Sequence, residues 1–273
     1  MTTPPAAAGT PVGRPRSHRA WWLAVAALTG ALLATTLGSD AWALVNRHTS
    51  RHSYVLPHPV RTVEVYAGSG SVSVSTGVAR QVGVRERTVW STTRPVVLKT
   101  WIGDTLQLRS GCTDSHFFLL QALGCQVSLD VTVPADATVL VSTLSGSVQV
   151  RGVTGDVNIR TLSGSTHLEG LRGDVAARTD SGEISADALL SGDVTAQAGS
   201  GTVQLDFATA PDRVSAVVGS GSADVVVPRG RRYKVGGQTG SGSRDIDPVI
   251  RDGTATRTID VSSGSGSVSV RYP

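Results

Sequence analysis

The chain has 273 residues, of which 40% are hydrophobic, 4% aromatic and 17% charged, with a formal net charge of +4. Part of that excess sits in an N-terminal arm carrying Arg14, Arg16 and Arg19, and the remainder is close to balanced. No basic stripe interleaved with aromatics runs through the chain, which argues against nucleic acid as a partner.

Residues 1–19 are rich in Pro, Ala, Thr and Arg and show no periodic pattern, so they are expected to form a disordered cytoplasmic arm. From Ala20 to Ser39 no side chain is charged. The run AWWLAVAALTGALLATTLGS is long enough to span a hydrocarbon core of ~30 Å. Trp21 and Trp22 stand at its start and Trp42 just past its end, as interfacial aromatics do. The three arginines before it favour a cytoplasmic N-terminus, a bias that Arg47 and Arg51 beyond it reduce. The expectation is one transmembrane helix over residues 20–39, acting as a signal anchor. A competing reading is a signal peptide cleaved at Ala41-Trp42-Ala43, against which stand the long arm and an apolar run exceeding the usual about 7–15 residues. Both readings place the rest of the chain outside the membrane. Residues 40–59 are expected to be a linker.

A first repeat copy, GSGSVSVSTG, appears at Gly70. The alternating runs Val96–Leu98, Thr105–Leu108 and Val127–Val133 read as longer strands that begin or cap a sheet stack, since a bare terminal strand offers its backbone to other chains. The only cysteines, Cys112 and Cys125, bound the segment GCTDSHFFLLQALGC. In an exported chain an even pair is expected to be bridged, the alternative being two separate thiols. The bridge would tie the base of an excursion whose apolar residues Phe117–Leu120 pack on the body or meet a partner. The neighbouring Asp114 and His116 do not form a zinc spacing.

The stretch SGSVQVRGV TGDVNIRTL SGSTHLEGL RGDVAARTD SGEISADAL then repeats every nine residues. Gly146, Gly155, Gly164, Gly173 and Gly182 keep the beat, and one extra residue, Leu190 or a neighbour, shifts it to Gly192 and Gly201. Two and four places after each glycine stand mostly Val, Ile, Leu or Ala, with mostly polar residues between, the period of a strand with one buried face. Each glycine is expected to start a strand, where the chain turns through positive φ. Five-residue strands joined by four-residue turns suit a parallel β-solenoid built of two roughly nine-residue half-coils per turn. Gly146, Gly164 and Gly182 would stack on one side, and Gly155, Gly173 and Gly192 on the other. The beat continues, less strictly, through PDRVSAVV, GSGSADVVV, QTGSGSRDI and SGSGSVSVRYP. The expected domain is an all-β solenoid over residues 60–273.

The stretch CQVSLDVTVPADATVLVSTLSGSVQVRGVTGDVNIRTLSGS resembles the bacterial "putative adhesin" family, a domain-of-unknown-function group. The carrying marks are Val131–Pro134 followed by Ser145–Val148, Gly155–Val157, Gly173–Val175 and Gly192–Val194. The resemblance spans roughly Val60 to Pro273. It implies an exported β-solenoid and offers no catalytic residues to carry over.

Chemistry has few footholds. Asp156, Asp174 and Asp193 each follow a glycine on one side and should stack and repel, with Arg160 and Arg178 relieving them in part. Calcium is the alternative to ordinary turn chemistry there, but the calcium-binding repeat GGxGxDxUx is absent. The outward row of Arg151, Glu169, Asp187 and Asp206 reads as surface charge with weak ion pairs between coils, and His167 is a lone outward histidine. No nucleophile elbow or phosphate loop is present, because no helix follows the Gly/Ser turns. The cluster Arg229, Arg231, Arg232 and Lys234 reads as a solvated turn, with anionic wall polymer or lipid head groups as the alternative. The expectation is therefore a non-enzymatic, single-pass membrane protein without cofactor, with its C-terminal domain outside. It would act as an adhesin or as a cell-envelope interaction module touching wall polymer, surface glycan or a membrane signalling protein. The alternatives are the extracytoplasmic component of an envelope-stress sensing system and, more weakly, a glycan-active β-helix enzyme.

Overall fold

The computed structural model describes residues 21–32, 47–77, 81–91, 94–112 and 125–273. Residues 21–32 are helical and belong to a unit spanning Met1–Asn46. No helix among the described residues is long and apolar enough to cross a membrane. The other residues of the expected span, 20 and 33–39, lie outside the described ones, as do 1–19 and 40–46.

The second unit, Arg47–Pro273, is mostly β. Its strands are β1 (His48–Leu56), β2 (Thr62–Thr76), β3 (Val82–Trp90), β4 (Val96–Ile102), β5 (Thr105–Gly111), β6 (Cys125–Val133), β7 (Thr138–Arg151), β8 (Val157–Glu169) and β9 (Val175–Leu189). They continue with β10 (Asp193–Phe207), β11 (Arg213–Val226), β12 (Lys234–Gly236), β13 (Thr239–Ser241), β14 (Arg244–Ile246), β15 (Thr258–Ser265) and β16 (Val268–Arg271). All sixteen lie in one sheet. The unit therefore begins before Val60: residues 48–56, expected as linker, are a strand paired antiparallel to β3.

The body is the parallel ladder β2-β7-β8-β9-β10-β11. Val139, Val157, Val175, Val194 and Val214 pair in register from coil to coil, and none is more than 3% exposed. Successive coils are thus 18, 18, 19 and 20 residues long. Alternation continues along each strand, so Ile159 and Leu168 are buried while Asn158 and His167 face outward beside them. Fully burying such a Val, Leu or Ile stabilises by about 1.5–3 kcal/mol relative to leaving it exposed, and the narrow core is filled almost entirely by these residues and Ala.

The strands are longer than the nine-residue beat suggests. β8 runs thirteen residues without a break, passing through Ser163-Gly164-Ser165. Gly164 does not start a strand; it bends one, at φ +138°. Its neighbours Gly146 and Gly182 stack above and below it in register. A Cβ on Gly164 would lie 2.9 Å from the carbonyl carbon of Gly146 and closer still to its oxygen. The corner therefore needs glycine twice over, for its backbone angle and for the approach of the next coil. Turns do fall at the other glycines: Gly173 precedes β9, and a Cβ there would also run into the Gly155 backbone. The residue that lengthens the third coil is not Leu190. Ala186 pairs with Leu205 and Leu189 with Phe207, so the surplus falls between them, where Ala188 takes φ +51°. That is a β-bulge.

The ends depart most from the beat. β15 and β16, the SGSGSVSVRYP copy, lie directly on β11. The QTGSGSRDI copy, earlier in the chain, forms β13 and β14 and pairs on the outside of β15 and β16. The short polar strands β12–β14 therefore make the terminal coil, while the alternating Ile259, Val261, Val268 and Val270 are buried beneath them. Short edge strands discourage pairing with other chains. At the opposite end β5 and β6 pair with the two halves of β2. β4 covers β5, and β3 and then β1 cover β6, all antiparallel. The Lys99 ammonium of the edge strand β4 lies 3.2 Å from the centre of the Tyr54 ring. Burial and the nearby Glu86 carboxylate push the Tyr54 phenol above its ordinary value.

Candidate functional site

Cys112 and Cys125 form a disulfide, their Cα atoms 6.3 Å apart. Its place follows from the register. Ala67 of β2 pairs with Ser110 and Gly70 with Val127, so the bridge stands where the other coils have their Ser-Gly-Ser corner. Residues 113–124, the excursion with Phe117–Leu120, lie outside the described residues. In the chain-entropy model, closing a loop of this size stabilises the fold by about 3 kcal/mol. Replacing both cysteines by serine should lower stability by about that amount and leave the repeats folded. Peptide mapping of protein purified without reductant from an oxidising expression compartment should recover the linked pair; two alkylatable thiols in that material would contradict the bridge.

Two grooves meet at this corner. The first has a volume of ≈ 1020 Å³ and is lined by Tyr66, Leu144, Leu162, Arg160, Arg178, Asp180 and the disulfide, among others. Its floor is unusual in apolar character: Leu144 is 63% exposed and Leu162 50%. They occupy the place just before the Ser-Gly-Ser corner, where Gly199, Gly219 and Gly264 stand in later coils. Tyr66, Ser142, Arg160 and Arg178 form the adjoining outward row, in register from β2 to β9. Arg178 approaches Asp180 at 4.0 Å, whereas Arg160 has no ion pair among the described residues.

The second groove, ≈ 670 Å³, lies on the other side of the corner and shares Ser69 and Cys125 with the first. It is lined by Arg47, Arg87 and the hydroxyls of Ser69, Ser71, Ser128, Ser145 and Ser147, with no acidic residue among the described residues of its lining. Ser145 donates its hydroxyl to that of Ser69 at 3.2 Å. Arg87 pairs directly opposite Arg51, an arrangement that is repulsive unless something neutralises it. Among the described residues, Arg47, Arg51 and Arg87 have no ion pair. The sequence reading missed both grooves. The signal available to it was the phrase TLSGS, twice in succession, with leucine where glycine returns elsewhere.

The candidate metal residues follow turn logic. The backbone N–H of Asp174 donates to Asp156 Oδ1 at 3.0 Å, linking the turns of adjacent coils. Asp193 is paired by Arg213 at 2.8 Å, so the relief expected from Arg160 and Arg178 comes from elsewhere. No group of three metal-ligating side chains is present among the described residues. Replacing Asp156, Asp174 and Asp193 together by Asn should change stability by less than about 1 kcal/mol, because exposed pairs contribute little. A calcium-dependent rise in melting temperature, present in the native chain and lost in the triple variant, would reverse that assignment. In the outward row Arg151 meets Glu169 at 2.7 Å and His167 meets Asp187 at 3.5 Å, the inter-coil pairs expected of surface charge. In the basic cluster Arg229 donates to the Pro273 carbonyl and the Arg231 carbonyl accepts from Tyr272, contacts that tie this turn to the C-terminus.

No curated protein matches the chain. It is similar to a "putative cell adhesion protein" of Clostridium sporogenes, at 12% identity over 83% of this chain and 100% of that one, with a TM-score of 0.41. It is also similar to a "putative adhesin" of Bacteroides fragilis, at 10% identity over 83% and 97% of the two chains, with a TM-score of 0.36. A "putative adhesin" of Parabacteroides distasonis is similar at 12% identity over 83% and 97%, with a TM-score of 0.36. The family model described as Toastrack DUF4097 matches residues 58–271, which takes in the body ladder, the disulfide corner and every strand of both caps except β1. The chain belongs to the Toastrack DUF4097 family.

Proposed function

We propose that this chain is a non-enzymatic, single-pass envelope protein whose solenoid stands outside the membrane and holds out a rigid binding surface. Residues 20–39 serve as the anchor and residues 1–19 remain in the cytoplasm. The observation that carries this reading is the Cys112–Cys125 disulfide, because such bridges persist in oxidising compartments outside the cytoplasm. The uncharged run with Arg14, Arg16 and Arg19 before it supports the orientation. The ladder supports the binding role. Parallel coils fix the outward rows at roughly 4.8 Å spacing, so a surface built on them is preorganised. The corner beside the disulfide carries the two grooves and is the surface of choice.

The test uses the full chain with a C-terminal tag in a bacterial host. It should resist alkaline extraction from membranes, and protease added to spheroplasts should remove the tag and solenoid, leaving a short N-terminal fragment. Recovery of the tag in the soluble fraction, or its full protection in intact spheroplasts, would overturn the placement.

A further inference from the structure

Building on the reading of the solenoid as a binding module, we infer that the disulfide corner is a binding site for a single anionic phospholipid. The two grooves differ in kind yet touch. One has an apolar floor of Leu144, Leu162 and Tyr66, edged by Arg160, Arg178 and Asp180; the other presents Arg47, Arg87 and serine hydroxyls. They meet at the small side chains of Ser69 and Cys125, beside Gly70 and Gly146, which carry none. A ligand that fills both must be apolar at one end and anionic at the other.

Charge decides the head. Among the described residues the polar groove holds two arginines and no carboxylate, and Arg51 adds a third cation directly opposite Arg87. Guanidinium groups beside hydroxyl donors suit a phosphate oxygen, which accepts charge-assisted hydrogen bonds from both. Placement decides the tail. At the place just before the corner, exposed leucine stands in β7 and β8, while β2, which pairs with the disulfide strands, has Gly68 there, β9 has Asp180 and the later coils have glycine. The apolar step is therefore local to the end of the solenoid where the cations are. An acyl chain laid along Leu144 and Leu162 removes both from water, and the head then reaches the arginines across the glycine corner.

The experiment places the full chain in detergent micelles with phosphatidylglycerol carrying a photoreactive diazirine at the end of one acyl chain. Phosphatidylcholine with the same chain is the comparison, and adducts are mapped by mass spectrometry. Phosphatidylglycerol should label peptides containing Leu144 and Leu162 at least fivefold more than phosphatidylcholine. Leu144→Ser with Leu162→Ser, and separately Arg47→Gln with Arg87→Gln, should each lower that labelling about fivefold, while adducts on residues 20–39 stay constant. All four side chains are surface residues, and melting curves verify that the variants fold. Unlabelled phosphatidylglycerol, but not phosphatidylcholine, should compete on the native chain, a readout that needs no variant. Adducts confined to residues 20–39, or equal labelling by both lipids, would refute the site. So would corner labelling that appears only after Phe117, Phe118, Leu119 and Leu120 are changed to serine, since the chain's own segment would then be the occupant. A negative result here, with the protease experiment positive, removes the lipid and leaves the exported module standing.

Discussion

Gly164→Ala should cost about 2–6 kcal/mol, although it adds only one methyl group to a surface corner. Two independent terms add. The backbone at φ +138° lies in a region that residues with a Cβ rarely adopt, a strain of order 1–3 kcal/mol. The new Cβ would also sit 2.9 Å from the Gly146 carbonyl carbon and closer to its oxygen. That atom belongs to backbone already paired in the ladder, so it cannot rotate away as a side chain would. Overpacking of this kind typically costs 1–3 kcal/mol more. Gly170→Ala is the matched control. Gly170 also has positive φ, +62°, but nothing lies within 4 Å of its Cβ position, so the loss should be about 1–2 kcal/mol. Thermal and urea unfolding followed by circular dichroism would rank the two. If Gly170→Ala proved as damaging as Gly164→Ala, the close stacking of the glycine corners would be wrong. Because coils interact with their neighbours, the damage should spread to β7 and β9 and broaden the transition.

The repeats were legible because the core positions recur on a fixed beat and each coil pairs only with coils like itself. Val157, Ile159 and their equivalents face inward as the alternation requires. What the beat could not convey is where the chain bends without interruption. Ser-Gly-Ser reads as a turn by composition, yet Gly146, Gly164 and Gly182 keep β7, β8 and β9 continuous through it. The C-terminal order was hidden for a different reason. QTGSGSRDI and SGSGSVSVRYP carry the same local pattern, and only long-range pairing decides that the later one docks on β11 first. The linker reading failed at His48–Leu56 because this edge strand carries mixed polar and apolar residues that mark no face. The grooves went unread because leucine within TLSGS looks like one more repeat residue until the same place is compared in every coil.

Ile159→Asp should be the most damaging single substitution of the body. Ile159 is 1% exposed and pairs in register with Val141 in the preceding coil and Ala177 in the next. Truncating a buried isoleucine alone costs about 2–5 kcal/mol. A carboxylate adds the cost of leaving a charge without a partner inside a narrow apolar core, several kcal/mol more unless it takes up a proton. The sum rivals the whole stability of an ordinary domain, about 5–15 kcal/mol, so the chain should be largely unfolded at neutral pH. Val157→Asp, at 2% exposure, should behave alike. Both should recover partly as pH falls, because burial raises the carboxyl pKa in the folded state and protonation then favours folding. Asn158→Asp, one residue between them and facing outward, should shift stability by less than about 0.5 kcal/mol. Circular dichroism melts of the three variants at pH 7 and pH 5 separate these outcomes. Equal melting temperatures for Ile159→Asp and Asn158→Asp would mean that the inward and outward rows had been assigned to the wrong faces.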